Sequence, residues 1–176
     1  MLRCFGFENA AVLNGGWKKW TREGRLVSTA APQYPAAHFI ARPHPELIAT
    51  RAEVLAAIGS QSTCLINALT PDEYAGRTPL RFGRFGHIPS SVNVSYIGVL
   101  DPETQAYLSP EQLHTQFAQA GALHKERVIT YCGGGIAACS DALLLTMLGA
   151  DNVAVYDGSM TEWAADPTLP LVTGEA

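Results

Sequence analysis

The chain has 176 residues, enough for one domain with at most a fragment of a second. Hydrophobic residues make up 47% and charged residues 16%, a composition that excludes intrinsic disorder and allows a sizeable core. The formal net charge of −4 argues against a general nucleic-acid binder. No run approaches the roughly 18 apolar residues of a membrane helix, so we expect no membrane partner.

The cysteines and the N-terminus indicate an intracellular protein. The four cysteines are too few for a disulfide framework in a chain of this length, and they are Cys4, Cys64, Cys132 and Cys139. None forms a CxxC pair or completes a zinc set, so we predict no metal and no organic cofactor. The N-terminus lacks the long apolar region of a signal peptide. A reducing cytoplasm is the predicted compartment.

The two ends of the chain resemble each other. Residues 148–163 align with residues 5–20 at a constant offset of 143, which places Gly158 on Gly15 and Trp163 on Trp20. Two similar helix–strand–turn–helix segments could arise by chance, but the gapless spacing favours duplication. Residues 1–28 are then the remnant of an N-terminal domain, with Met1 inside its last long helix. Residues 29–46 carry four prolines and are predicted to be an extended linker, and residues 47–176 are the complete domain.

Helix boundaries in the complete domain are marked by turn and capping residues. The hydroxyl-x-x-Glu/Gln pattern of a capping box begins at Thr50, Thr70, Ser109 and Ser159. Helix C-terminal caps are predicted at Gly59, Gly121 and Gly149. The short apolar runs between these helices are strand candidates, and they are 64–67, 92–94, 128–131 and 153–156. Alternating strands and helices predict an α/β domain with a mainly parallel central sheet and helices on both faces.

Cys132 stands where such a domain places its chemistry. It follows a buried-type strand, and Gly133, Gly134 and Gly135 connect it to the next helix. The glycines let backbone N–H groups turn inward, and the helix dipole adds positive potential at the same point. This environment favours a thiolate or a negatively charged persulfide. A buried structural cysteine is the alternative, and the loop matches neither nucleotide-binding glycine pattern.

Two cysteine chemistries fit this position on strand, loop and helix. A cysteine phosphatase has the pattern C-x5-R, which would require arginine at residue 138, where this chain has Ala138. Without the guanidinium, the bidentate contact with phosphate is lost. Sulfur transfer through a cysteine persulfide is the other chemistry, and the sequence favours it.

The chain resembles the rhodanese family of thiosulfate and 3-mercaptopyruvate sulfurtransferases. The resemblance rests on LINALTPDEYAG, GHIPSSVNV, LDPETQAYLSPEQL, YCGGGIAAC and VYDGSMTEW, which follow the family in order and spacing. It implies a rhodanese-like fold and makes Cys132 the nucleophile and persulfide carrier. The six-residue loop 132–137 has the family's length, so Gly133, Gly134, Gly135, Ile136 and Ala137 are expected to bind substrate. The segment NAAVLNGGWKKW looks like the end of the first domain in tandem members, where that domain closes one side of the cleft.

The sequence departs from the family where the sulfur donor is recognised. Both residues after the cysteine are glycine, where thiosulfate-preferring members carry basic residues. The family's Asp-x-Arg pattern is replaced by Asn67 and Leu69, and Glu73 stands where some tandem members have a substrate-binding arginine. Arg81 best matches the arginine that mercaptopyruvate-type enzymes place on the substrate carboxylate. A solvated loop of arginines, with Arg77 and Arg84, is the alternative.

Other candidate residues are assigned structural roles. His87 is interpreted as a structural histidine, and Cys139 as a small buried residue that could otherwise resolve a persulfide as a disulfide. Ser159 is predicted to be a helix N-cap. The three tryptophans are interpreted as core anchors, and they are Trp17, Trp20 and Trp163.

The predicted function is sulfane-sulfur transfer through a Cys132 persulfide. The donor is a small anion, thiosulfate or 3-mercaptopyruvate, and the acceptor is cyanide, a thiol or a protein cysteine. The alternatives are a non-catalytic rhodanese-type module that relays sulfur or binds a protein, and an incomplete fragment with little activity alone.

Overall fold

The computed structural model describes residues 1–78 and 83–174. Its centre is a parallel sheet of β1 (Thr63–Asn67), β2 (Val92–Asn93), β3 (Arg127–Tyr131) and β4 (Val153–Val155), in the order β2-β1-β3-β4. All four predicted strands are present. Two of them end one residue earlier than predicted, although the amides of Val94 and Tyr156 still donate to the neighbouring strands. All four carboxyl ends therefore lie at one edge of the sheet.

The helices with a predicted capping box begin where that signal places them, with one exception treated below. They are α1 (Gly16–Arg22), α2 (Arg51–Ala57), α3 (Pro71–Tyr74), α4 (Pro110–Gln119), α5 (Ile136–Met147) and α6 (Ser159–Trp163), with 3-10 turns at Arg3–Phe5 and Pro45–Leu47. Capping boxes form at Thr50, Thr70 and Ser109. Gly59, Gly121 and Gly149 all have the positive φ of a helix C-terminal cap.

Two hydrophobic layers cover the sheet. Leu65 and Ile129 point into the layer formed with α2 and α6, in which Trp163 is fully buried. Their neighbours Ile66 and Val128 point the other way, into the layer formed with α4 and α5. This alternation follows from the two-residue period of a strand. The predicted α/β fold with helices on both faces is confirmed.

The N-terminal segment, residues 1–44, contacts the domain through polar groups. The Tyr107 amide donates to the Asn14 side chain at 2.8 Å, and the Arg22 guanidinium donates to the Glu103 carbonyl. The only regular elements described in this segment are the first 3-10 turn and α1, so the strand expected here is not formed. Trp17 is 62% exposed, and its predicted place in a core is wrong. No helix within the described residues is long and apolar enough to span a membrane.

Candidate functional site

Cys132 lies at the carboxyl edge of the sheet, directly after β3. It is only 3% exposed, and α5 begins four residues later at Ile136. The structure thus places Cys132 at the junction of strand, glycine loop and helix that the sequence predicts. The five predicted substrate-binding residues, 133–137, follow it in one turn and include the first residues of α5.

Gly135 is required by the geometry of this loop. It precedes α5 with a left-handed φ of +81°. A Cβ at this position would lie 2.7 Å from Oδ1 of Asp157 and 3.1 Å from the Asp157 carbonyl oxygen. The segment after β4 therefore packs directly against the loop after β3. Only glycine combines this backbone conformation with so close an approach.

Ser159 connects the loop to the end of β4. The amides of Cys132 and Gly135 both donate to Ser159 Oγ at 3.1 Å, and the Ser159 hydroxyl donates to the Tyr156 carbonyl at 2.7 Å. The prediction that Ser159 caps α6 is wrong, because Gly158 precedes the helix and no side chain caps it. The Ser159 hydroxyl is occupied by the loop amides instead. Glu162, the other half of the predicted capping box, accepts from the Tyr156 hydroxyl at 2.6 Å.

The loop carbonyls are turned toward α6. The Cys132 carbonyl accepts from the Met160 amide at 3.0 Å. The Gly133 carbonyl accepts from the Thr161 amide at 2.9 Å and from the Thr161 hydroxyl at 2.7 Å. The start of α6 thus donates three hydrogen bonds to two consecutive carbonyls of the loop. Neither Ser159 nor Thr161 was assigned this role from the sequence, because the repeat with residues 5–20 shows spacing and not contact.

Four amides of the loop remain available to a ligand. Within residues 1–78 and 83–174, no protein acceptor pairs with the amides of Gly133, Gly134, Ile136 and Ala137. Such groups at a helix N-terminus form an anion-binding site by direction and by partial charge. We refer to these four groups as the unpaired loop amides. They include four of the five residues predicted to bind substrate, whereas the amide of Gly135 is held by Ser159.

The arginines near the site divide into separate roles. Arg84 is structural, since its guanidinium donates to four carbonyls at the end of α6, those of Trp163, Ala164, Asp166 and Leu169. Arg77 forms an ion pair with Asp72 at 2.9 Å. Arg81, the predicted contact for a substrate carboxylate, lies outside the described residues.

Residue 138 offers no side chain that could bind phosphate. Ala138 is fully buried, and its carbonyl accepts from the Thr130 hydroxyl at 3.0 Å beneath the loop. The position that completes the phosphatase pattern is thus part of the packing between α5 and β3. The structure agrees with the argument against phosphatase chemistry.

His87 has the structural role that the sequence suggests. It is 4% exposed, Nδ1 lies 2.8 Å from the Tyr74 carbonyl, and the ring stacks on Tyr74 at 3.6 Å between centroids. Burial lowers the pKa of His87, which keeps the imidazole neutral. The ring therefore orders the turn that leads into β2.

The other cysteines differ in accessibility. The Cys64 thiol donates to the Ala120 carbonyl, and burial raises the pKa of this thiol to about 11, which makes it unreactive. Cys139 is exposed, so its predicted burial is wrong; it lies in the first turn of α5. Although the residue is exposed, neighbouring protein atoms partly desolvate its sulfur, which raises the pKa of the Cys139 thiol.

The residues that replace the family's Asp-x-Arg pattern have local partners. Asn67 is fully buried, and its Oδ1 accepts from the Leu69 amide at 2.8 Å. Glu73 completes the capping box of α3 with Thr70. These contacts order the turn after β1 and do not supply a cation.

A groove of about 550 Å³ runs beside β2 between α3 and α4, and Cys132 does not line it. No three metal-binding side chains are grouped in the described part of the chain.

The sheet and the loop define a parallel α/β domain with one cysteine above the strand ends. Comparison with known proteins is consistent with this class. Residues 50–166 match the family model described as a rhodanese-like domain. The chain is 34% identical over 166 residues to thiosulfate sulfurtransferase of Rattus norvegicus, covering 93% of this chain and 56% of that protein. It is 30% identical over 173 residues to 3-mercaptopyruvate sulfurtransferase of Escherichia coli K12, covering 97% of this chain and 61% of that protein.

The chain belongs to the rhodanese-like family. It spans 56–61% of the length of these two relatives. A solved structure of an EanB variant in complex with ergothioneine superposes with a TM-score of 0.89 at 23% identity, covering 99% of this chain and 44% of that one. Wild-type EanB superposes with a TM-score of 0.87, also at 23% identity, covering 98% of this chain and 43% of that one. This likeness establishes the shared fold.

Proposed function

We propose that this chain is a sulfurtransferase that moves sulfane sulfur through a persulfide on Cys132. The Cys132 thiolate attacks the outer sulfur of thiosulfate, the S–S bond breaks, and sulfite leaves with the bonding electron pair. With 3-mercaptopyruvate the C–S bond breaks instead, and pyruvate leaves as an enolate that takes a proton from water. A nucleophilic acceptor such as cyanide, a thiol or a protein cysteine then removes the outer sulfur and regenerates the thiolate.

The unpaired loop amides are the observation that carries this proposal. A persulfide on Cys132 adds one negatively charged sulfur beside the loop, where four N–H donors have no protein partner. Donors fixed by a backbone loop need no reorganisation when charge arrives, so they stabilise the bound sulfur in each half-reaction. The loop supplies no cationic side chain, because residues 133–137 are glycine, isoleucine and alanine.

We propose Arg81 as the contact for the anionic end of the donor. An anion that leaves water needs such a cation to offset its desolvation. Arg84 cannot contact the anionic end of the donor while its guanidinium binds four carbonyls. The proposal includes both thiosulfate and 3-mercaptopyruvate as donors, because the glycines at residues 133 and 134 favour neither of them.

We also propose the division of the chain into a remnant of a rhodanese-like domain (1–28), a linker (29–46) and the catalytic domain (47–176). Three equivalences support the repeat. The first residue of α1, Gly16, and that of α6, Ser159, have φ of +55° and +48°. The Lys19 amide donates to the Gly15 carbonyl as the Glu162 amide does to that of Gly158. The repeated tryptophans, 20 and 163, both donate their indole N–H to carbonyls that follow each helix.

The domain proposal is tested by limited trypsin digestion of the whole chain. Residues 21–43 are exposed throughout, so cleavage after Arg22 and Arg25 should precede cleavage at Arg84 and Arg127. A stable product that begins at residue 26, within this exposed segment, supports the division. Early cleavage after Arg84 or Arg127 would contradict it.

Intact-mass measurements test the sulfurtransferase proposal. The protein is incubated with thiosulfate and, separately, with 3-mercaptopyruvate, and its mass is recorded before and after cyanide. We expect a gain of one sulfur atom that cyanide removes. Cys132→Ser should abolish the gain, and Cys139→Ser, a matched change at the exposed thiol, should leave it intact. A gain that survives in Cys132→Ser would overturn the assignment.

A second candidate is a module that binds a partner or relays sulfur without turning over small donors. The absence of a cationic side chain in residues 133–137, which would bind a small anionic donor, favours this candidate. This candidate predicts no sulfur uptake from either donor by folded protein, with uptake only from a persulfidated protein partner. The free thiols present at all four cysteines suit either function in a reducing compartment such as the cytoplasm.

A further inference from the structure

Comparison of the two segments of the proposed repeat shows that Ser159 is an unusual residue. The equivalent position in the N-terminal copy is Gly16, and both residues begin a helix with a left-handed φ, +55° for Gly16 and +48° for Ser159. Glycine adopts this conformation at little cost, whereas the Cβ of another residue is strained in it. The catalytic copy therefore carries a strained serine where the other copy shows that glycine suffices for the backbone.

The Ser159 side chain is fully occupied and inaccessible to solvent. It is 0% exposed, its oxygen accepts from the amides of Cys132 and Gly135, and its hydroxyl proton is donated to the Tyr156 carbonyl. These bonds join the two ends of the glycine loop to the residue that follows β4. No helix-capping role explains the serine, since its oxygen accepts from no α6 amide.

We propose that Ser159 is a positioning residue that sets which loop amides face the transferred sulfur. By accepting from the amides of Cys132 and Gly135, it removes them from the donors available to the sulfur. The amides of Gly133, Gly134, Ile136 and Ala137 are then left as the donors to the persulfide. This inference rests on the proposed sulfurtransferase function and adds the residue that shapes its anion site.

Two substitutions separate the hydroxyl from the backbone strain. Ser159→Gly removes the hydroxyl and relieves the left-handed φ, so this variant should fold. Ser159→Ala removes the hydroxyl and keeps the strain. If the hydroxyl positions the loop, both variants should lower the first-order rate of persulfide formation at saturating thiosulfate by about tenfold to a hundredfold. The thiosulfate concentration at half saturation should change by less than the rate does.

Ser90 provides a control at the amino ends of the strands, opposite the carboxyl ends where Cys132 lies. It also has a left-handed φ, +62°, and its oxygen also accepts a backbone amide, that of Gly59 at 2.8 Å. Ser90→Gly makes the same chemical change before β2, away from Cys132. We expect the wild-type rate of persulfide formation in this variant. A wild-type rate in folded Ser159→Gly would overturn the proposal.

Amide hydrogen exchange distinguishes a failure of this inference from a failure of the proposed function. In Ser159→Gly the amides of Cys132 and Gly135 lose their acceptor, so their exchange should accelerate at least about tenfold, while β3 amides such as Ile129 keep their protection. This result supports the positioning role even if the wild-type protein takes up no sulfur. Unchanged exchange at both amides would overturn it, whatever the sulfur-transfer assays show.

Discussion

Gly135 and Asp157 fit together so closely that a Cβ on residue 135 would lie 2.7 Å from the Asp157 carboxylate oxygen. The two residues belong to the loops that follow β3 and β4, which are neighbours in the sheet. The Asp157 backbone also restricts this position, since its carbonyl oxygen and Cα would lie 3.1 and 3.3 Å from that Cβ. Rotation of the aspartate side chain would relieve the shortest contact and leave the two tight backbone contacts.

Gly135→Ala should destabilise the fold and displace the Cys132 loop. A left-handed φ of +81° and the contact with Asp157 both oppose a side chain. We expect a loss of about 2–4 kcal/mol in the free energy of unfolding, and sulfur uptake reduced at least about tenfold. Urea denaturation and intact mass after thiosulfate measure the two effects.

Gly121→Ala is the control for this substitution. Gly121 has a similar φ of +70°, but nothing lies within 4 Å of its Cβ position. It should show only the cost of the backbone conformation, about 1 kcal/mol, with normal sulfur uptake. Equal destabilisation by both changes would show that the Asp157 contact contributes nothing.

Much of this fold could be predicted because its signals are local. Capping boxes at Thr50, Thr70 and Ser109 depend on residues three apart, and strands such as Thr63–Asn67 on short apolar runs. The place of Cys132 between β3 and α5 follows from the order of strand, glycines and helix. Each of these features is determined within a few residues of sequence.

The features that sequence reasoning missed depend on contacts between distant segments. Ser159 has the spacing of an N-cap, but its hydroxyl is bound by amides 24 and 27 residues earlier. Arg84 belongs to a predicted loop of solvated arginines, and its structural role appears only when the carbonyls that follow α6 are placed around it. Residues 10–12, which align with β4 in the proposed repeat, form no strand, and the described chain provides no neighbouring strand for them.

Arg84→Lys should destabilise the protein without a direct effect on the anion site. A planar guanidinium reaches four carbonyls at the end of α6, whereas an ammonium group cannot span them. We expect the free energy of unfolding to fall by about 1–3 kcal/mol. Arg51→Lys is the control: its ion pair with Asp166, at 3.5 Å, is half-exposed and worth at most about 1 kcal/mol. A tenfold weaker affinity for thiosulfate in a stable Arg84→Lys protein would contradict the structural assignment.

Thr161→Val separates the two hydrogen bonds at the Gly133 carbonyl. The substitution removes the hydroxyl bond at 2.7 Å and retains the amide bond at 2.9 Å. Because one donor remains, we expect a loss of about 0.5–1.5 kcal/mol in stability. Persulfide formation should slow by less than in Ser159→Gly. An effect on the rate as large as that of Ser159→Gly would mean that the two residues act as a single unit.

Asp141 should make the protein less stable as pH rises. It is fully buried in α5, neither carboxylate oxygen has a hydrogen-bond partner within the described residues, and desolvation raises its pKa well above the ordinary value of 3.8. Above pH 3.8 the native state keeps a proton that the unfolded state releases. The contribution of Asp141 to the free energy of unfolding is therefore greatest below pH 3.8 and falls as the pH rises toward the raised pKa of the native state.

Asp141→Asn removes this proton uptake while keeping the shape of the side chain. The variant should match the wild-type protein well below pH 3.8, where the carboxyl is protonated in both states, and exceed its stability near pH 7 by about 1–3 kcal/mol. Urea denaturation from pH 3 to pH 8 measures the difference. Asp151→Asn, the same change at an exposed aspartate, is the control. A constant difference between wild type and Asp141→Asn across this range would show that the buried carboxyl does not hold its proton in the native state.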